Sequence, residues 1–239
     1  MNTLHIFGCS YSELFHLSGY QPYKDYYKFR NNNFPPTWSE ILAKKLHLSL
    51  NNYAFGGSGN DEIFQRVCSN SHKFRKGDVV IIGWSYMNRF RWALPGSDKW
   101  TPCSAHCDES MLIDRKVCEE VSISRTNKLH YKQLEDYQNI IESLSKAVDF
   151  ELFFWSGDCD IIYEKPIESR LHPKYICSKY IGQQQTIFNE ILERGGQRIR
   201  EETNGLIDDL HFGETAHSMM SELYYEHIIE MRKNIVKLL

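Results

Sequence analysis

Three short, nearly unbroken apolar runs, Leu4 to Phe7, Val79 to Trp84 and Phe150 to Trp155, constrain this chain more than any other feature. A strand that is apolar on successive residues has a core on each of its faces, which is the pattern of parallel sheets covered on both sides. Between these runs lie stretches with helical spacing. Thr37 to Leu46 puts Trp38, Ile41, Leu42 and Leu46 on one stripe, and Asp61 to His72 and Tyr131 to Val148 follow the same period. Leu48 to Ala54 reads as a further strand. Strand and helix in alternation predict an α/β fold with a mostly parallel sheet between two layers of helices.

The pattern lapses twice. Residues 89 to 127 carry Pro95-Gly96, Pro102 and irregular polarity, and they read as an insertion or lid, as do residues 158 to 180. Beyond the second gap, Gln183 to Glu193 reads as helix ended by Gly195-Gly196. From Glu214 onward, Ala216, Met219, Leu223, Ile228, Met231 and Ile235 recur at helical spacing. A length of 239 residues suits a single domain, 1 to 239, with two insertions.

Composition narrows the class. No apolar stretch approaches the roughly 20 residues that span a bilayer, so no membrane partner is expected. The start lacks the basic and long apolar segments of a signal peptide, and 7 scattered cysteines argue for a reducing compartment, so the expected location is cytoplasmic. A net charge of −3 offers no general attraction to nucleic acid. Cys103, His106, Cys107 and Cys118 lie within reach of one another in sequence, but without paired Cys-x-x-Cys motifs they are not read as a zinc site. Neither a metal nor an organic cofactor is expected.

Two short motifs carry the chemistry. Gly8-Cys9-Ser10-Tyr11-Ser12 follows the first strand, and Asp208-Asp209-Leu210-His211 precedes the last helical stretch. A serine becomes a nucleophile when an imidazole takes its proton, and the imidazole in turn requires an acid to fix its tautomer. Residues three apart share one face of a helical turn, so Asp208 is the acid expected beside His211.

At these residues the chain resembles the SGNH, or GDSL-like, hydrolase superfamily. That family has a serine just after its first strand and an Asp-x-x-His near its end, and the resemblance assigns Ser10, His211 and Asp208 to a catalytic triad. It also implies a three-layer α/β/α sandwich with a flavodoxin-like sheet of about five strands. Asn52 to Asn60, with Gly56-Gly57-Ser58-Gly59, is similar to the second family block, whose glycine amide serves the oxyanion hole. Gly59 is aligned with it, and Gly57 is the alternative. Gly83-Trp84-Ser85-Tyr86 stands where the family has Gly-x-Asn-Asp, so the asparagine that donates to the oxyanion is replaced by Ser85. Asn88 is the other candidate. Together with the Ser10 amide, these residues form the expected oxyanion hole.

The resemblance implies a serine ester hydrolase or acyltransferase that works through an acyl-enzyme. Cys9, where the family has aspartate, is a rival nucleophile, though a small buried cysteine at a strand end fits its position better. Trp84, Tyr86, Phe90, Trp92 and Trp100 gather after the third strand, and Trp84 and Tyr86 are the expected substrate contacts. Aromatic faces beside polar donors suit a small-molecule or glycan ester, with an O-acylated carbohydrate as the leading substrate. The missing asparagine keeps a second reading open, a non-catalytic protein that holds a ligand or partner in the same cleft. Oligomeric state is not legible.

Overall fold

The computed structural model describes residues 1 to 85, 89 to 93, 100 to 104, 127 to 156 and 187 to 238. The main sheet contains β1 (Thr3–Phe7), β2 (Ser49–Asn52), β3 (Val79–Trp84) and β6 (Glu151–Ser156), in the order β2-β1-β3-β6. All three pairings are parallel. The expected sheet of about five strands is thus four-stranded among the described residues. Where a fifth strand would follow β6, the chain enters 157 to 186, outside them.

Side chains of β3 alternate strictly. Val79 and Ile81 enter one core with Leu4, Ile6, Phe153 and Trp155, while Val80, Ile82 and Trp84 enter the other with Phe7, Leu152 and Phe154. The first core is roofed by α2 (Trp38–Leu46), α5 (Ile187–Glu193) and α7 (Glu214–Leu238). The second is roofed by α3 (Asn60–Asn70) and α4 (Asn127–Val148). Two buried faces on one sheet make three layers. Each fully buried aliphatic or aromatic side chain contributes about 1.5–3 kcal/mol, so the two cores dominate the stability of the fold.

Local signals set the helix boundaries. Thr37 and Glu40 form a reciprocal capping box at the start of α2, and His47 ends it in a left-handed conformation at φ 55°. Gly83 solves a packing problem within β3. A Cβ there would come within 2.4 Å of the Trp155 indole, which lies across the strand.

Two features longer than a single turn were not anticipated. One is α1 (Gln21–Phe29), whose Tyr23 and Tyr26 are buried against Phe15 and Ile199. The other lies inside residues 89 to 127, where β4 (Arg89–Ala93) and β5 (Trp100–Ser104) form an antiparallel pair separate from the main sheet. Residues 94 to 99 and 105 to 126, and all of 158 to 180, fall outside the described residues. Among the described residues no helix is long and apolar enough to cross a membrane.

Candidate active site

The sheet order fixes where a ligand would sit. From β1 the chain crosses to β2 on one side and then to β3 on the other, so the loops leaving β1 and β3 diverge at a topological switch point. Phe7 is level with Ile82 in the register, which brings the Gly8-to-Ser12 turn and Ser85 out of neighbouring strand ends. Ser10 opens a single 3-10 turn, Ser10–Ser12, whose backbone bond runs from the Ser12 amide to the Cys9 carbonyl at 2.9 Å.

His211 arrives from the loop before α7. Its Nε2 is 2.8 Å from Ser10 Oγ, and its Nδ1 is 2.6 Å from Asp209 Oδ1. The same Asp209 oxygen accepts the His211 backbone amide at 2.8 Å. Asp209 is buried, with its side chain 1% exposed, whereas the His211 ring is 20% exposed. The loop is fastened from behind, because the Ile199 and Arg200 amides donate to the carbonyls of His211 and Asp209, each at 2.9 Å. Ile199 and Arg200 open a one-turn helix, α6 (Ile199–Glu202), whose first amides lack helical acceptors.

The expected acid, Asp208, is not at this site. Its side chain is 82% exposed and faces Arg200 at 3.4 Å. The spacing argument assumed a helical turn, but residues 203 to 213 form an irregular loop with one bridge between Arg198 and Phe212. In that loop Asp209 folds back on the amide two residues ahead, as an Asx-turn does, and this brings its Oδ1 to the ring of His211.

Tyrosines surround the imidazole. The rings of Tyr11, Tyr23 and Tyr20 lie 4.9, 5.4 and 5.5 Å from that of His211, centroid to centroid. The Tyr23 hydroxyl donates to the Ser10 carbonyl at 3.3 Å, and burial, reinforced by the charge of Asp209, raises its pKa well above the usual range. Glu13 also borders the serine. A Cβ on Gly56 would meet Glu13 Oε2 at 3.0 Å and Ser10 Cβ at 3.8 Å. Burial raises the pKa of Glu13, against hydrogen bonds from Ser18 and the Gly56 amide that favour the carboxylate. None of these side chains had been singled out in the sequence. The signal available was Tyr20 and Tyr23 flanking Pro22 at the start of a helix.

The second and third blocks interlock. Gly59 caps α3 in an extended conformation, and a Cβ at that position would fall 2.9 Å from the Arg89 carbonyl. Asn60 grips the backbone of Ser85 from both sides: the Ser85 amide donates to Asn60 Oδ1 at 2.7 Å, and Asn60 Nδ2 donates to the Ser85 carbonyl at 3.1 Å. Ser85 is buried, and its Oγ accepts Arg89 Nη1 at 3.2 Å. Gly57 adopts a φ of 80°.

Trp84, an expected substrate contact, is instead core. It is 1% exposed, with its ring 5.8 Å from that of Phe154, because strand alternation puts it on the same face as Ile82. Tyr86 and Asn88 lie outside the described residues, as do His106, Cys107 and Cys118 of the cysteine group. Cys9 is a free thiol, 3% exposed. Among the described residues no group of histidine, cysteine and carboxylate side chains could hold a metal ion.

No family model and no curated protein sequence matches this chain. Among solved structures it is similar to a protein assigned to the lipolytic G-D-S-L family from Desulfitobacterium hafniense DCB-2. The two share 9% identity, with 95% of this chain and 99% of the other covered, at a TM-score of 0.32.

Proposed function

We propose that this chain is a serine-dependent ester hydrolase or acyltransferase that works through Ser10, His211 and Asp209. The observation that carries the reading is the unbroken line from a serine hydroxyl to an imidazole to a buried carboxylate, at 2.8 and 2.6 Å. Asp209 accepts a hydrogen bond from Nδ1–H, which leaves Nε2 with the lone pair that a general base requires.

In the proposed reaction Ser10 Oγ attacks the ester carbonyl carbon while His211 Nε2 takes the hydroxyl proton. The new carbon–oxygen bond pushes the carbonyl electron pair onto oxygen, and the backbone amides of Ser10 and Gly59 are the proposed donors to that oxyanion. The intermediate collapses with loss of the alcohol, which receives the proton from His211. Water or a second alcohol then resolves the acyl-enzyme by the reverse proton path.

The tyrosines around His211 support an O-acylated carbohydrate as substrate, because Tyr20, 45% exposed, offers an aromatic face beside polar groups. A fluorophosphonate probe followed by peptide mass mapping tests the reaction class. Modification of Ser10 in the native protein, lost in Ser10→Ala, is the expected result. An unmodified Ser10 together with no turnover of activated esters would leave the non-catalytic ligand-binding reading in its place.

A further inference from the structure

Position 85 has serine where the resembled family has an oxyanion-donating asparagine, and the side chain at Ser85 is in contact with a cation. Arg89, the first residue of β4, is partly buried and directs Nη1 to Ser85 Oγ at 3.2 Å. Its backbone is held as closely. The Arg89 carbonyl lies against Gly59, where any Cβ would come within 2.9 Å, and Ser85 is itself clasped through both backbone groups by Asn60. The Gly59 turn, the Ser85 turn and the start of the β4–β5 pair are thereby tied together at the strand ends from which Ser10 emerges. Arg66, also in this region, donates Nη1 to Ser58 at 2.8 Å and pairs Nη2 with Glu62.

We propose that Arg89 is the side-chain donor of the oxyanion hole and that Ser85 is the residue that positions it. This rests on the serine-hydrolase reading above. A guanidinium has five N–H donors in a planar fork, so one can engage Ser85 while another meets the substrate oxygen. The charge on that oxygen is full only after Ser10 has bonded to carbon, and a cationic donor then adds a charge–charge attraction that a neutral amide lacks. Arg89 gives up no proton. The serine proton travels to His211 and on to the leaving alcohol, while the guanidinium stabilises the oxyanion until the carbonyl re-forms. A serine at position 85 is then an adaptation: a shorter side chain leaves room for the guanidinium, and its oxygen orients it.

The experiment compares wild type, Arg89→Ala, Arg89→Lys and Ser10→Ala on a neutral activated acetate ester, with and without added guanidinium chloride below denaturing concentration. Loss of a transition-state donor should lower the turnover of Arg89→Ala by about a hundredfold with KM changed by less than about twofold. Guanidinium should restore at least about a tenth of wild-type turnover to Arg89→Ala and nothing to Ser10→Ala. Arg89→Lys keeps a charge without the fork, so a loss of about tenfold is expected, and this variant decides the matter if the alanine variant fails to fold. Wild-type turnover in either Arg89 variant, a loss carried by KM alone, or a loss that guanidinium does not relieve would overturn the assignment to Arg89. Phosphonylation of Ser10 in the wild type keeps that outcome separate from failure of the hydrolase reading, which an inert wild-type protein would show.

Discussion

Among the described residues two histidine–aspartate pairs lie at opposite ends of the same sheet, and only one of them has a serine hydroxyl on the far imidazole nitrogen. At the amino end, His5 Nε2 lies 3.2 Å from Asp78 Oδ2, with the two side chains 1% and 4% exposed. Asp78 also accepts the Thr3 and Arg75 amides, each at 2.8 Å, so its carboxylate serves as a knot between β1 and the turn before β3. His5 lies between the rings of Phe74 and Tyr53, and burial lowers its pKa despite the nearby Asp78 charge. At the carboxyl end, His211 is partly open, and its second nitrogen reaches a serine hydroxyl instead of hydrocarbon. An acid beside an imidazole is therefore not a site by itself. What distinguishes the second pair is the group on the far nitrogen and its place at the strand ends.

The largest expected effect comes from breaking the second pair. Asp209→Asn would offer an N–H to Nδ1, forcing the tautomer whose Nε2 carries a proton and cannot accept one from Ser10. Turnover should fall by about 10⁴-fold, whereas Asp208→Asn, at an exposed residue, should stay within about twofold of wild type. Steady-state kinetics on the two variants checks both. Equal losses, or a loss confined to Asp208→Asn, would return the acid to the position that sequence spacing favours.

That off-by-one error shows how far sequence reasoning reaches here. The strands β3 and β6 were legible because their residues are apolar on both faces, and Ser10 and His211 could be picked out because one ends a strand and the other lies near an acid. The choice between Asp208 and Asp209 depended on whether their segment was helical, and no periodicity in Leu206 to Phe212 decides that. Trp84 was misread for a related reason. Its position after Gly83 suggests a rim, but strand register continues through it into the core. The tyrosine ring around His211 had no linear signature, since Tyr11, Tyr20 and Tyr23 meet a residue nearly 200 positions away only after the sheet assembles.

Breaking the first pair should affect stability and spare turnover. Asp78→Ala would leave the Thr3 and Arg75 amides and the His5 ring without their acceptor in a closed region, at about 1–3 kcal/mol for each buried donor left unpaired. Chemical denaturation should show a loss of about 3 kcal/mol or more, while turnover per folded molecule stays unchanged. A fall in turnover at full folding would mean that the two ends of the sheet are coupled.

His217 sharpens the contrast, because its ring serves neither a carboxylate nor a hydroxyl. Its Nδ1 accepts the Trp38 amide at 3.2 Å, joining α7 to the start of α2. Burial first, and then the charge of a protonated His211, lowers its pKa from 6.5 to about 3. The unfolded chain therefore binds this proton at higher pH than the native ring does. The stability this ring contributes is complete above about pH 6.5 and is lost as pH falls toward about 3, by at most about 1.4 kcal/mol per unit. His217→Gln removes the titration, so denaturation midpoints of the variant should fall less steeply between pH 6 and pH 4 than those of wild type. Parallel slopes would mean that the ring is already protonated in the native state.

The smallest expected effect belongs to Cys9, the neighbour of the proposed nucleophile and its rival on sequence grounds. A thiolate nucleophile requires an accessible sulfur and a base, yet Cys9 is 3% exposed and His211 Nε2 is on the hydroxyl of Ser10. Its position at the end of β1 is that of a small apolar residue filling the core, so Cys9→Ala should cost about 1 kcal/mol and keep at least about half of the turnover. Iodoacetamide should leave native Cys9 unmodified at concentrations that label the exposed Cys68. If alkylation of Cys9 abolished turnover while Ser10→Ala retained it, the nucleophile would be the thiol, and the geometry around His211 would describe a resting state in place of the reactive one.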